Sequence, residues 1–140
     1  MALFNDGDIS NEDLFNAINR SQGFIEFDMD GIIVNCNQIF LDVVGYDFSE
    51  IKGKHHSIFC DESFVKSQEY SDFWEKLNLG EFYSGEYKRI GKNGKEVYIQ
   101  ATYNPIFDKN NKPTKVLKFA TDVTARKLKD IETESVLSAV

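Results

Sequence analysis

Cysteine, proline and methionine are scarce in this chain, and basic residues are outnumbered. Cys36 and Cys60 are the only cysteines, which excludes a disulfide framework. Two reduced, partly buried thiols in a cytoplasmic protein are expected, with a transient redox pair as the alternative. Lys and Arg total 16 against 23 Asp and Glu, a formal net charge of -7. That balance argues against a nucleic-acid backbone and against an anionic membrane surface, both of which are held by clustered cations. No apolar run nears the roughly 18 residues of a membrane span. The acidic stretch 1–10 has neither the basic nor the apolar region of a secretory signal. There is no Gly-rich phosphate loop, H-E-x-x-H pair or nucleophile elbow, so no enzyme is expected. His55, His56, Cys60 and Asp61 form the single cluster of ligand-type residues. Adjacent histidines on a helix diverge by about 100°, too far to share one metal, so no metal site is expected unless haem is bound.

Aromatic residues are abundant. Twelve Phe, six Tyr and one Trp make 14% of the chain, enough to build a thick core in a small domain or to line a pocket for a flat ligand. At 41% hydrophobic and 28% charged over 140 residues, the composition fits one globular domain.

The periodicity predicts a helix from Ser10 or Asn11 to about Arg20, with Leu14, Phe15 and Ile18 along it. Two β-rich runs, Phe24–Phe27 and Ile32–Val34, flank a turn at Asp28-Met29-Asp30-Gly31. Ile39, Phe40, Val43 and Val44 form a helical stripe ended by Gly45. Short helical turns are expected from Ser49 to Val65. A longer helix spans Ser67–Leu79 with Tyr70, Phe73, Trp74 and Leu77 on one face. Three strands follow in hairpin order, Phe82–Ile90, Lys95–Phe107 and Pro113–Asp122. The second alternates Val97, Ile99, Ala101 and Tyr103 against polar neighbours, the mark of a half-buried strand. A polar helix from Ala125 closes the chain. The expected fold is α+β, a curved five-stranded antiparallel sheet with a helical insert over one face and a pocket between them. Pro105 lacks an N–H and is expected at an edge or a bulge, which either simply bends the sheet or holds Asn104 with its amide aimed into the pocket.

These stretches resemble the PAS sensory domain family. The likeness lies in Phe27-Asp28-Met29-Asp30-Gly31-Ile32-Ile33, Asn35-Cys36-Asn37-Gln38-Ile39-Phe40, Val44-Gly45-Tyr46, Ile51-Lys52-Gly53-Lys54, Gly80–Gly85, Lys92-Asn93-Gly94 and Asp122-Val123-Thr124. It implies the PAS fold over residues 14–124, after a flexible lead and the helix start at 1–13, with 125–140 as a linker helix. Ser21-Gln22, Gly53-Lys54-His55-His56, Tyr70–Trp74, Ala101–Ile106 and Lys118–Asp122 are similar to the PAS domains of bacterial chemotaxis and biofilm-dispersal transducers and of the flavin-binding aerotaxis receptor. That resemblance implies a sensor of redox, oxygen or a small ligand, signalling through the C-terminal helix. Its implied partners are a second copy, paired through the N-terminal helix and C-terminal linker, and a downstream PAS and methyl-accepting signalling domain. Residues 134–140 echo residues 12–18 and read as the start of such a second unit. A ligand-free dimerisation module is the alternative.

The same resemblance implies the site. Asn37, His56, Trp74 and Tyr83 match positions of an FAD pocket, although Tyr83 stands where Trp is expected and Arg89 where an Asn would meet the flavin. Histidine stands at the place of the adduct-forming cysteine of light-sensing PAS domains, so cysteinyl-flavin photochemistry is not expected. Haem b is the other cofactor implied. The long helix has no histidine, which leaves His55 or His56 as the axial ligand. FAD, haem, a small ligand and an empty pocket stay open on this reading, with Asn104 as a further binding residue and Asp122 and Thr124 as the relay.

Overall fold

The computed structural model describes residues 9–139, with side chains described as far as residue 134. Of the lead expected before the first helix, residues 1–8 lie outside the described residues. Helix α1 (Asn11–Ser21) starts at Ser10, whose side chain accepts from the Asp13 N–H. This is an N-cap that satisfies one of the free donors of the first turn. Strands β1 (Gly23–Asp28) and β2 (Ile33–Cys36) form the first hairpin. The helical cover follows as α2 (Gln38–Val44), α3 (Phe48–Ile51), a 3-10 turn at His56–Phe59, α4 (Glu62–Val65) and α5 (Gln68–Asn78). Then come β3 (Tyr83–Ile90), β4 (Glu96–Phe107), β5 (Pro113–Asp122) and helix α6 (Thr124–Ala139).

The five strands lie in the order β2-β1-β5-β4-β3, antiparallel throughout. Strand β5 returns to pair with β1, so the two sequence-distant hairpins merge into one sheet. Directly paired residues share a face. The row Ile25, Lys118, Tyr103 and Tyr83 therefore crosses β1, β5, β4 and β3 on the side covered by the helices. Val97, Ile99 and Ala101 alternate on that same face and are all buried, as the strand's period of two requires. On the other face Phe24 meets Phe119, and Phe15 of α1 packs edge-on against Phe24 at 6.2 Å.

Pro105 takes the edge setting, without the bulge. It pairs in register with Val116, and the irregularity comes one step later, between Ile106 and Phe107. Pairing of β4 with β3 ends at Tyr103, so beyond that point β4 has a neighbour on one side only. A residue without an N–H is tolerated there with no bulge of its own.

The helical cover is set by close approaches. Gly45 ends α2 in the left-handed region at φ 77, which costs glycine nothing. At the β3–β4 turn, a Cβ on Gly91 would collide with the Val44 carbonyl at the end of α2. This turn and α2 are thus locked together by the absence of a side chain. Gly91→Ala is expected to lower stability by about 1–3 kcal/mol through overpacking. Gly94 faces open space, so its alanine variant has only the strain of a positive φ to bear. Urea denaturation of the two variants checks the order, and equal losses would show that the close approach is not the cause.

Candidate functional site

Rings fill the space between the sheet and its cover. Tyr103 on β4 and His56 on the 3-10 turn are both fully buried. The His56 ring lies 5.3 Å from Phe27, 5.5 Å from Trp74 and 5.6 Å from Tyr103. Phe73 on α5 stands edge-on to Tyr103 at 4.9 Å and meets Tyr83 at 4.8 Å.

A chain of hydrogen bonds threads these rings. Arg89 Nη2 donates to the Tyr103 hydroxyl at 2.9 Å. The same hydroxyl lies 3.1 Å from His56 Nε2, and His56 Nδ1 lies 2.8 Å from the Tyr70 hydroxyl. Guanidinium can only donate. The Tyr103 oxygen therefore accepts from Arg89, and its proton is free for His56 Nε2. Either neutral tautomer of His56 completes the chain, one ring nitrogen donating to one tyrosine hydroxyl and the other accepting from the second. Burial, together with the nearby Lys118 and Arg89 charges, holds the His56 imidazole well below its ordinary value. Burial also raises the Tyr103 hydroxyl to about 12. The phenol remains a hydrogen-bonding group at neutral pH.

Outside this packed interior lies a groove of about 340 Å³, walled by Phe64, Phe73, Tyr83 and Tyr87, with Arg89 at its inner side and Asp61, Glu69 and Glu86 around it. The Arg89 guanidinium lies 4.8 Å from the Tyr87 ring centroid. Lys88 also lines the groove; the volume falls within the range of small-molecule sites, and aromatic walls beside the buried Arg89 cation suit a compact ligand with a flat or apolar body.

The expected site residues separate into two groups. His56, Trp74, Tyr83 and Arg89 come together in the interior or the groove. Asn37 does not. It is the N-cap of α2, its Oδ1 accepting from Phe24 N–H and Phe40 N–H at 2.9 and 3.0 Å. Its Nδ2 donates to the Gln22 carbonyl and to Asn19 Oδ1. Every polar position of that amide is used to tie α1, β1 and α2 together, which corrects the expectation that it faces a ligand. Asn104 is corrected as well. Its Nδ2 donates to Thr102 Oγ1 and the Leu117 carbonyl, because even-numbered β4 residues point away from the helical cover. Of the two histidines, the buried one bonds two tyrosines. His55 is partly exposed, its Nδ1 accepting from Ser57 N–H.

Three participants were not singled out as site residues from the sequence. Tyr103 and Tyr70 look like ordinary core aromatics, and Lys118 looks like a surface charge. The signal for Lys118 is its parity between Val116 and Ala120 on a strand whose inner face is apolar. Among the described residues no group of three or more His, Cys, Asp or Glu side chains is placed to hold a metal ion. Burial raises the Cys36 thiol to about 11 and pushes Cys60 upward too. Both thiols are therefore protonated, weak nucleophiles near neutrality.

The packing tests the two implied cofactors. A flavin or a haem needs a slot between sheet and cover, and in this arrangement the aromatic rings occupy that slot themselves. Both His56 nitrogens are engaged by tyrosines, so neither is free to act as an axial ligand. As arranged, the interior residues fit neither group.

His56 gives a pH prediction. It is neutral when folded and protonates near 6.5 when unfolded, so acid favours the unfolded chain. The stability it contributes is complete above about pH 6.5 and is lost as pH falls, at up to ~1.4 kcal/mol per unit. The stability difference between the wild type and His56→Gln, measured by urea denaturation, is expected to shrink from pH 7 toward pH 5. A constant difference would place His56 outside the acid response.

A family profile described as PAS fold matches residues 33–120, more than half of the chain. The chain is 41% identical over 111 residues to the biofilm dispersion protein BdlA of Pseudomonas aeruginosa, covering 79% of this chain and 27% of that protein. It is 30% identical over 79 residues to the aerotaxis receptor of Escherichia coli K12, covering 56% of this chain and 15% of the receptor. The chain thus spans about a quarter or less of the length of these relatives. Among solved structures, an RNA-binding light-oxygen-voltage receptor superposes with a TM-score of 0.76 at 20% identity, over 99% of this chain and 41% of that one. At that identity the likeness concerns the fold.

Proposed function

The chain belongs to the PAS fold family, and on that premise we propose that it is the sensory domain of a chemotaxis-type transducer. It reads a small ligand between sheet and helical cover and passes the result to helix α6. Residues 14–124 form the sensing unit, and 125–140 form the linker to further domains of a longer, dimeric protein. The matched relatives carry the names of a dispersion protein and an aerotaxis receptor, which supports a signalling role over catalysis. No helix among the described residues is long and apolar enough to cross a membrane.

The observation that carries this reading is the use of β4 at both ends. Tyr103 holds His56 and Arg89 at the ligand side. Five residues earlier, Tyr98 meets the start of α6. Tyr98 N–H donates to Thr124 Oγ1 at 2.9 Å, and the Tyr98 carbonyl accepts from Val123 N–H at 2.8 Å. Asp122 Oδ1 accepts from the Thr124 N–H at 2.9 Å. A shift of β4 therefore moves the first turn of α6 directly. Arg126 of α6 also pairs with Glu86 at 3.0 Å, and Glu86 lines the groove. A ligand that favours one arrangement of cover and sheet biases both ties.

A ligand-free dimerisation module is the second reading, supported by the interior being filled with the protein's own rings and by exposed Leu14 and Phe15 on α1. The two differ in a thermal-shift screen of small metabolites: a sensor gains stability with some of them, and a pure interaction module with none. Freshly purified protein is expected to show neither flavin nor haem absorption bands. A bound chromophore in stoichiometric amount would overturn the small-ligand reading. For a compound that stabilises the chain, Asp122→Ala is expected to leave its affinity within about twofold and to abolish its effect on hydrogen exchange at residues 124–132. If the exchange response survives, the junction is not the relay.

A further inference from the structure

Three basic side chains, His56, Arg89 and Lys118, are buried in the described interior, and no acid is buried with them. Lys118 is fully buried. Its Nζ makes no hydrogen bond and lies over two ring faces, 4.8 Å from the Tyr103 centroid and 5.5 Å from that of Phe40. Arg89 is 4% exposed and its Nε is also without a partner. Both cations border one gap between α2 and the sheet. Phe40, Val44 and Phe59 wall it on the helical side and Val97 and Ile99 on the sheet side.

A lysine kept for structure reaches out to water along its stem or finds a carboxylate. Lys118 does neither, and the gap beside it is too narrow for a hydrating water. The ring faces offset only part of the cost of burying its charge. An apolar residue at this inward position of β5 would pack at no such cost. The component that would let Lys118 carry its charge there is a negative group.

We propose that Lys118 and Arg89 are the anion-recognising end of the internal site, and that its occupant is a compact aliphatic monocarboxylate. The proposal rests on the sensor reading above and adds the ligand class. Arg89 Nη1 and Nη2 already donate to the Lys88 carbonyl and the Tyr103 hydroxyl, and its unpartnered Nε–H beside a Lys118 ammonium supplies donors for the two oxygens of a carboxylate. The apolar walls leave no second polar end to hold a dicarboxylate and suit a short hydrocarbon chain. Because the gap is narrow, such a ligand spreads α2 from the sheet as it enters. Binding and change of shape are then one event.

The groups facing Lys118 are Arg89 from β3, Tyr103 from β4, and His56 and Cys60 from the segment after α3. In the empty form, burial and the Arg89 charge favour the neutral amine. The bound carboxylate favours the ammonium, so binding is coupled to proton uptake and affinity falls as pH rises.

The test is a titration of the chain with butyrate and with its neutral isostere butyramide, followed by unfolding temperature and by NMR shifts in α2. Butyrate is expected to raise the unfolding temperature saturably, and butyramide is not. Lys118→Met is expected to unfold at a higher temperature than the wild type when free and to bind butyrate at least about tenfold more weakly, with Lys118→Arg retaining binding. The absence of a saturable response to straight-chain acids from acetate to octanoate, or equal responses to acid and amide, overturns the assignment. Equal affinity in Lys118→Met does so too, and if that variant fails to fold, the acid–amide comparison decides alone. If other metabolites stabilise the chain and no acid does, the anion site falls while the sensor reading stands. If butyrate binds but exchange in α6 does not respond, the relay falls and the site stands.

Discussion

The hydroxyl of Tyr103 is the point on which this domain turns. It sits where the central sheet meets the helical cover, and two groups from different elements share it, His56 of the 3-10 turn and Arg89 of β3. A buried hydroxyl has a single proton to give and lone pairs to receive with, and Arg89, which can only donate, fills one of those acceptor positions and leaves the rest of the group to the ring of His56. The aromatic rings packed around this oxygen exclude water, which makes each of these bonds stronger and the loss of any partner more costly.

Much of this was legible in the residues. The alternation of Val97, Ile99, Ala101 and Tyr103 gave the inner face of β4 correctly, and Ser10 and Gly45 marked helix boundaries through elementary capping chemistry. The family resemblance brought His56, Trp74, Tyr83 and Arg89 to the same region. The failures have physical causes. Asn37 lies at the expected place in the chain, but a cap that satisfies two backbone donors and reaches two oxygens has no capacity left for a ligand. Asn104 was misjudged against the strand's own period, since a residue next to inward Tyr103 must point outward.

Lys118 was missed for a different reason. Charge is the strongest cue for exposure, and only its inward register opposes that cue. Register becomes visible when β5 is set between β1 and β4, a long-range pairing that no local window contains. The same holds for the bond between Tyr98 and Thr124, which join across 26 positions. Local chemistry predicts elements well. The functional arrangement depends on which elements become neighbours.

The polarity of the buried bond chain also limits what this domain can do. Arg89 stands at one end as a group that gives hydrogen bonds and does not release its proton, so the sequence Arg89, Tyr103, His56, Tyr70 has a closed terminus. Nothing can be passed along it from one side of the protein to the other, because the first member never empties and refills. The line of side chains works as a clasp, to be opened or shut as a unit. It is unsuited to conducting protons.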